Sequence, residues 1–172
     1  YATALHNVGL IQEACKDYTS AQQSFLKGLT FARLNFSRAE PVRAWLVQRL
    51  GRLYSHLRNY TGAEPLFLEA LDALRAHTGP GASGRINVMN DLGSMYAEWG
   101  RYEQAEAIFL EVISTQDEIK AVGARISLGG VYRLSNRLDD AEQQLVRAAD
   151  TAHRHPNCVP FLQVRALLEQ RA

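Results

Sequence analysis

Four glycines set a register that runs through this chain. Gly9, Gly51, Gly93 and Gly129 each follow an aliphatic residue, Val8, Leu50, Leu92 and Leu128. Three positions after the glycine stand Gln12, Tyr54, Tyr96 and Tyr132, and nine after it stand Tyr18, Tyr60, Tyr102 and Leu138. Twelve after it the residue is alanine every time: Ala21, Ala63, Ala105 and Ala141. Sixteen after it come Phe25, Phe67, Phe109 and Leu145, and nineteen after it Gly28, Ala70, Val112 and Ala148. Columns that agree four times in one register mean one supersecondary unit used repeatedly, each copy stacking on the next. The glycine has no side chain, so a second helix can approach a first one closely there. The alanine is expected at the matching crossing, with the tyrosine and phenylalanine columns filling the space around it.

This register resembles the tetratricopeptide pattern, W-x2-L-G-x2-Y followed by A-x3-F and a closing A and P. The resemblance covers roughly residues 2 to 154. It departs from the pattern in three ways. The tryptophan column is Leu5, Val47, Met89 and Arg125, so the fourth repeat matches least. The closing proline is absent. The glycines are spaced by 42, 42 and 36 residues instead of about 34, and about eight extra residues lengthen the helices by about two turns. Such long-period repeats are similar to those of kinesin light chains and of bacterial regulatory and scaffold proteins. The resemblance implies an all-α, right-handed α-solenoid of antiparallel helix pairs with a concave groove lined by the first helix of each pair.

As one array over residues 1–172, the expected repeats lie near 2–34, 39–77, 85–116 and 119–154. A last amphipathic segment, 158–172, either caps the array or opens a partial fifth repeat. Ser37 and Glu40, with Pro41 close behind, form a capping-box signature for the third helix. The stretch from His77 to Gly84 is rich in helix breakers and reads as a loop. The chain starts inside a helical pattern with no capping residue ahead of it, so it is expected to be part of a longer protein. No strand-like alternation appears.

Nearly half the residues (47%) are apolar and 22% are charged, an ordinary soluble composition. The net charge is +1, which provides no basic footprint for nucleic acid or an anionic membrane. Sixteen of the nineteen basic residues are arginine, a skew that leans towards a GC-rich bacterial source. No apolar run reaches the roughly 18 residues of a membrane span. Cys15 and Cys158 are too few for a disulfide framework or zinc motif, which fits a reducing, cytoplasmic setting. His153, His155 and Cys158 lack a second ligand pair at metal-site spacing. Asp139, Asp140, Glu103 and Glu106 stand in first turns of second helices, where the helix dipole favours acids. No phosphate loop, dinucleotide fingerprint or nucleophile elbow is present. No cofactor and no enzymatic activity are expected.

Function is therefore sought at polar positions on the first helices. Positions six and two before each glycine, and one and five after it, make one helical stripe. In the second repeat it reads Trp45, Arg49, Arg52 and His56; guanidinium forks there suit a carboxylate from an acidic side chain or peptide C-terminus. The third repeat contributes Asn87, Asp91 and Ser94, and Arg133 extends the basic lining in the fourth. Asn7 and Asn90 offer amides that can pair with an extended backbone. Arg49 paired with Asp91, or Trp45 packed on a neighbouring helix, would be the purely structural alternative. The lysine–asparagine clamp that some family members use for a C-terminal carboxylate is not reproduced, since the stripe has no lysine.

The expected partner is a protein or peptide segment, with acidic groups, held in the groove of a scaffold. A second reading is the ligand- or peptide-sensing array of a larger bacterial transcription regulator or signalling protein. Self-association through the C-terminal end is a further expectation.

Overall fold

A computed structural model describes residues 1–36, 41–75, 82–115 and 118–154. The capping-box residues Ser37 and Glu40, most of the loop near residue 80, and the segment 158–172 lie outside the described residues, as do His155 and Cys158.

Every described element is a helix: α1 Ala2–Ala14, α2 Tyr18–Asn35, α3 Pro41–His56, α4 Tyr60–Arg75, α5 Ala82–Glu98, α6 Tyr102–Ile113, α7 Glu118–Leu134 and α8 Leu138–Arg154. Two bounds differ from the sequence reading. Helix α5 begins at Ala82, inside the stretch expected as a loop, and a Cβ on Gly84 in its first turn would stand 3.7 Å from Leu74 of α4. Helix α6 stops at Ile113 rather than near 116. There the Ser114 and Thr115 hydroxyls bond back to the Glu111 and Val112 carbonyls, each at 2.7 Å, competing with the backbone for the last acceptors.

The turn inside each repeat is built the same way four times. Seven residues after each glycine the backbone is left-handed, at Lys16 (φ 62°), Arg58 (57°), Gly100 (79°) and Asn136 (61°). The next amide reaches back five residues, as in Asp17 N–H to Gln12 O (2.9 Å) and Arg137 N–H to Tyr132 O (2.8 Å). The left-handed residue's own amide reaches back three, as in Lys16 N–H to Glu13 O. This is the paired-bond Schellman ending, which satisfies carbonyls that the helix leaves open. Asp17 and Asn59 then cap the second helices, accepting from the amides of Ser20 (3.0 Å) and Gly62 (3.1 Å).

The glycine column opens the helix pairs as expected, and the group that fills the space is the side chain sixteen residues on. A Cβ on Gly9, Gly51 or Gly93 would meet the ring of Phe25, Phe67 or Phe109, and one on Gly129 would meet Leu145. The three rings are fully buried, as are Ala21, Ala63 and Ala105. The first three pairs are thus held by an aromatic ring lying flush against a helix backbone, with an alanine beside it, and the fourth by Leu145 in the same place.

The chain divides into two compact units between Asp91 and Leu92, within α5. In the first, α1 packs on α2, α2 on α3 and α3 on α4. In the second, α6 packs on α7 and α7 on α8. Successive repeats are also joined by a hydrogen bond at the tyrosine column. Gln22 Nε2 donates to the Tyr54 hydroxyl at 3.0 Å in the first unit, and the Tyr132 hydroxyl donates to Glu106 at 2.7 Å in the second. Burial, reinforced by the Glu106 contact, pushes the Tyr132 phenol up to about 12. Arg137 binds Glu106 and Asp140, each at 2.8 Å, and stacks over the Tyr132 ring at 4.2 Å.

Candidate functional site

The first unit holds a cavity of about 600 Å³ lined by polar side chains from three first helices. Helix α3 supplies Trp45, Gln48, Arg49 and Arg52, α5 supplies Asn87, Asn90 and Asp91, and α1 supplies His6. They converge because their positions repeat. Trp45 and Asn87 stand six before the glycine, Arg49 and Asp91 two before it, and His6, Gln48 and Asn90 three before it. Residues three or four apart share a helix face.

Asp91 is the charged centre of the site. Its carboxylate accepts a 2.6 Å hydrogen bond from Gln48 Nε2. Burial raises its pKa above the ordinary carboxylate value. The Gln48 bond and the positive field of Arg52, Arg49 and His56 act in the opposite direction. The direct Arg49–Asp91 pair weighed from the sequence is not formed; Gln48 takes that place. Among the described residues, neither the Arg49 nor the Arg52 guanidinium makes a hydrogen bond or a contact ion pair. The site therefore presents two guanidiniums against one partly sheltered carboxylate.

Two further groups face the same space. Asn90 Oδ1 is buried and has no hydrogen-bond partner among the described residues, an arrangement that costs free energy unless a donor arrives. Trp45 is 47% exposed, so it does not pack away against a neighbouring helix. Its ring stands 6.3 Å from that of His6, tilted by 43°.

Of the residues selected from sequence, Trp45, Arg49, Arg52, Asn87, Asn90 and Asp91 come together here. Asn7 is exposed next to His6, whose Nδ1 lies 3.3 Å from its Oδ1. His56 lines an adjoining cavity of about 380 Å³ with Arg49, Glu13 and Tyr18. Ser94 and Arg133 belong to the second unit, where both are exposed. The sequence reading passed over Gln48 and His6. Their signal was the polar column three before the glycine, adjacent to the stripe that was chosen. Among the described residues no cluster of three or more metal-ligating side chains occurs, and no helix is long and apolar enough to cross a membrane.

The sequence profile described as tetratricopeptide repeat matches residues 40–118, and a second profile of the same description matches residues 2–33. The chain belongs to the tetratricopeptide repeat family. Solved structures with this repeat fold include BtubC (BKLC) from P. vanneervenii, with a TM-score of 0.80 and 18% identity over 90% of this chain and 64% of that one. YrrB, a TPR protein with an unusual peptide-binding site, has a TM-score of 0.68 and 19% identity over 100% of this chain and 75% of that one. Bacillus thuringiensis PlcR, solved with the peptide PapR7 and DNA, has a TM-score of 0.69 and 14% identity over 95% of this chain and 59% of that one. The tetratricopeptide chain thus spans less than two thirds of BtubC and of PlcR. No curated protein matches it in sequence. At these identities the likeness establishes the repeat fold.

Proposed function

We propose that this tetratricopeptide chain is a non-catalytic module that binds a protein or peptide segment, and that the cavity of the first unit receives a carboxylate of that segment. The observation that carries this reading is the pair of guanidiniums, Arg49 and Arg52, facing a 600 Å³ cavity without a contact partner among the described residues. A guanidinium fork binds carboxylate bidentately, and an extended peptide brings backbone N–H groups suited to Asn90 Oδ1. Trp45 supplies a rigid apolar surface beside the charged groups, the kind of anchor that dominates binding energy. YrrB and PlcR, which share the fold, are described with a peptide-binding site and with a bound peptide.

Fluorescence anisotropy with a labelled glutamate-containing hexapeptide and its glutamine counterpart tests this directly. The acidic peptide should bind more tightly and weaken with added salt. Arg49→Ala with Arg52→Ala should reduce its affinity by about tenfold or more, since charged hydrogen bonds are worth roughly 1.5–3 kcal/mol each. Equal binding of the two peptides, or by wild type and double variant, would refute the assigned cavity.

A second reading is favoured by the likeness to PlcR, which was solved with both a peptide and DNA. Here the repeats sense a peptide for an effector domain elsewhere in a larger regulator. A DNA-binding or nucleotide-binding segment flanking these residues would support it, and an uninterrupted run of further repeats would favour the scaffold.

A further inference from the structure

The cavity of the first unit is polarised between two of its walls. On the α3 side its charged groups are the Arg49 and Arg52 guanidiniums, which donate hydrogen bonds and cannot accept them. On the α5 side it is rich in acceptors. Asn90 Oδ1 is buried there with no hydrogen-bond partner among the described residues. Asp91 has a single hydrogen bond, from Gln48 Nε2 to its Oδ2 at 2.6 Å, so its Oδ1 accepts none among the described residues.

The protein does not satisfy these two acceptors itself. Burial raises the Asp91 pKa although Gln48, Arg52, Arg49 and His56 all act to lower it, so the nearby cations do not offset the loss of water around the carboxylate. A buried carbonyl oxygen without a donor carries a cost of the same kind. Asn90 and Asp91 line one cavity, so one group seated in it can serve both. An ammonium brings three N–H donors and a positive charge. A backbone N–H brings one donor and no charge, which meets the need of Asn90 and leaves that of Asp91.

We infer that the group seated in this cavity is an α-amino-acid unit with a free ammonium and a carboxylate, either the acidic first residue of a peptide or a free amino acid. Its ammonium lies on Asp91 Oδ1 and Asn90 Oδ1. Its carboxylate lies on Arg49 and Arg52 as in the proposed function, on which this inference rests.

The test titrates the 172-residue chain by calorimetry with a hexapeptide whose first residue is glutamate, once with its ammonium free and once acetylated. An ammonium near Arg49 and Arg52 is repelled by them, so without the Asp91 contact acetylation would strengthen binding. With that contact the order reverses, and the free peptide should bind tighter by about tenfold or more. Asp91→Asn keeps an acceptor for Gln48 and should remove the preference, weakening the free peptide and tightening the acetylated, purely acidic one. Asn90→Leu removes the orphaned oxygen. It should reduce the preference severalfold while the melting temperature stays level or rises, which loss of a purely structural asparagine would not do. Free glutamate as competitor separates the two sources: displacement of the peptide assigns the site to the amino acid, and no displacement assigns it to a peptide end. Equal binding of the two peptides, or a preference unchanged in Asp91→Asn, overturns the inference and leaves the carboxylate reading standing. Binding of neither peptide overturns both.

Discussion

Gly93 and Gly123 both sit inside helices, yet the same substitution is expected to act on them in opposite directions. A Cβ at Gly93 would stand 2.8 Å from two carbons of the Phe109 ring, which is itself fully buried and cannot retreat. Overpacking there costs about 1–3 kcal/mol, more than the roughly 1 kcal/mol that alanine gains in helix propensity. At Gly123 and Gly130 nothing lies within 4 Å, so alanine should stabilise by about 0.5–1 kcal/mol. Urea unfolding midpoints of Gly93→Ala, Gly123→Ala and Gly130→Ala check the sign. Asp91 makes a second residue-scale prediction. Its folded-state pKa is raised, mainly by burial, so the folded protein holds the proton more tightly than the unfolded chain does. Its contribution to stability therefore rises as pH falls from neutral through the folded pKa, the reverse of a normally paired carboxylate. Asp91→Asn can still accept from Gln48 and should remove that part of the pH dependence; an unchanged pH profile in the variant would contradict the assignment.

At the scale of the element, the intra-repeat turn is where local sequence and required backbone disagree most. The left-handed position is glycine at Gly100 but lysine and arginine at Lys16 and Arg58, where a Cβ costs about 1–2 kcal/mol. Arg58→Gly should raise the melting temperature, since Arg58 is exposed and its backbone conformation already suits glycine. A fall in melting temperature would show that the arginine side chain contributes more than its backbone strain. Ala105 stands at the tightest kind of crossing, fully buried beside Phe109; Ala105→Leu should destabilise by about 1–3 kcal/mol or more, read by calorimetry. The helix starts and stops were legible in the sequence to within a few residues because capping and breaker chemistry is local. The early end of α6 was not, because it depends on which way two hydroxyls, Ser114 and Thr115, turn.

For the whole molecule, the proposed binding of an acidic segment rests on the balance of charge in the first unit. Asp91 partly neutralises Arg49 and Arg52 through space. Asp91→Asn is therefore expected to tighten an acidic peptide severalfold and steepen its salt dependence, as measured by anisotropy at low and physiological salt. Loss of binding in that variant would place Asp91 itself in contact with a donor of the ligand.

The repeat and its helix pairs were legible in the sequence alone, which set the alanine column at the glycine crossing; that the side chain sixteen residues on lies against the glycine came from the structure. Repeat and pairing are specified by residues within one unit, and the unit is written four times, so chance agreement is removed by repetition. The polar stripe was also visible, since packing columns and polar columns separate on a helix. Which polar residues meet was decided by tertiary structure. His6, Gln48 and Asn90 share a column in sequence but share a cavity only because α1, α3 and α5 bring those columns side by side. That Gln48 and not Arg49 bonds Asp91 depends on helix rotation over a few ångströms. Spacing along the chain carries no such distance, because a contact across helices is fixed by how the intervening side chains pack.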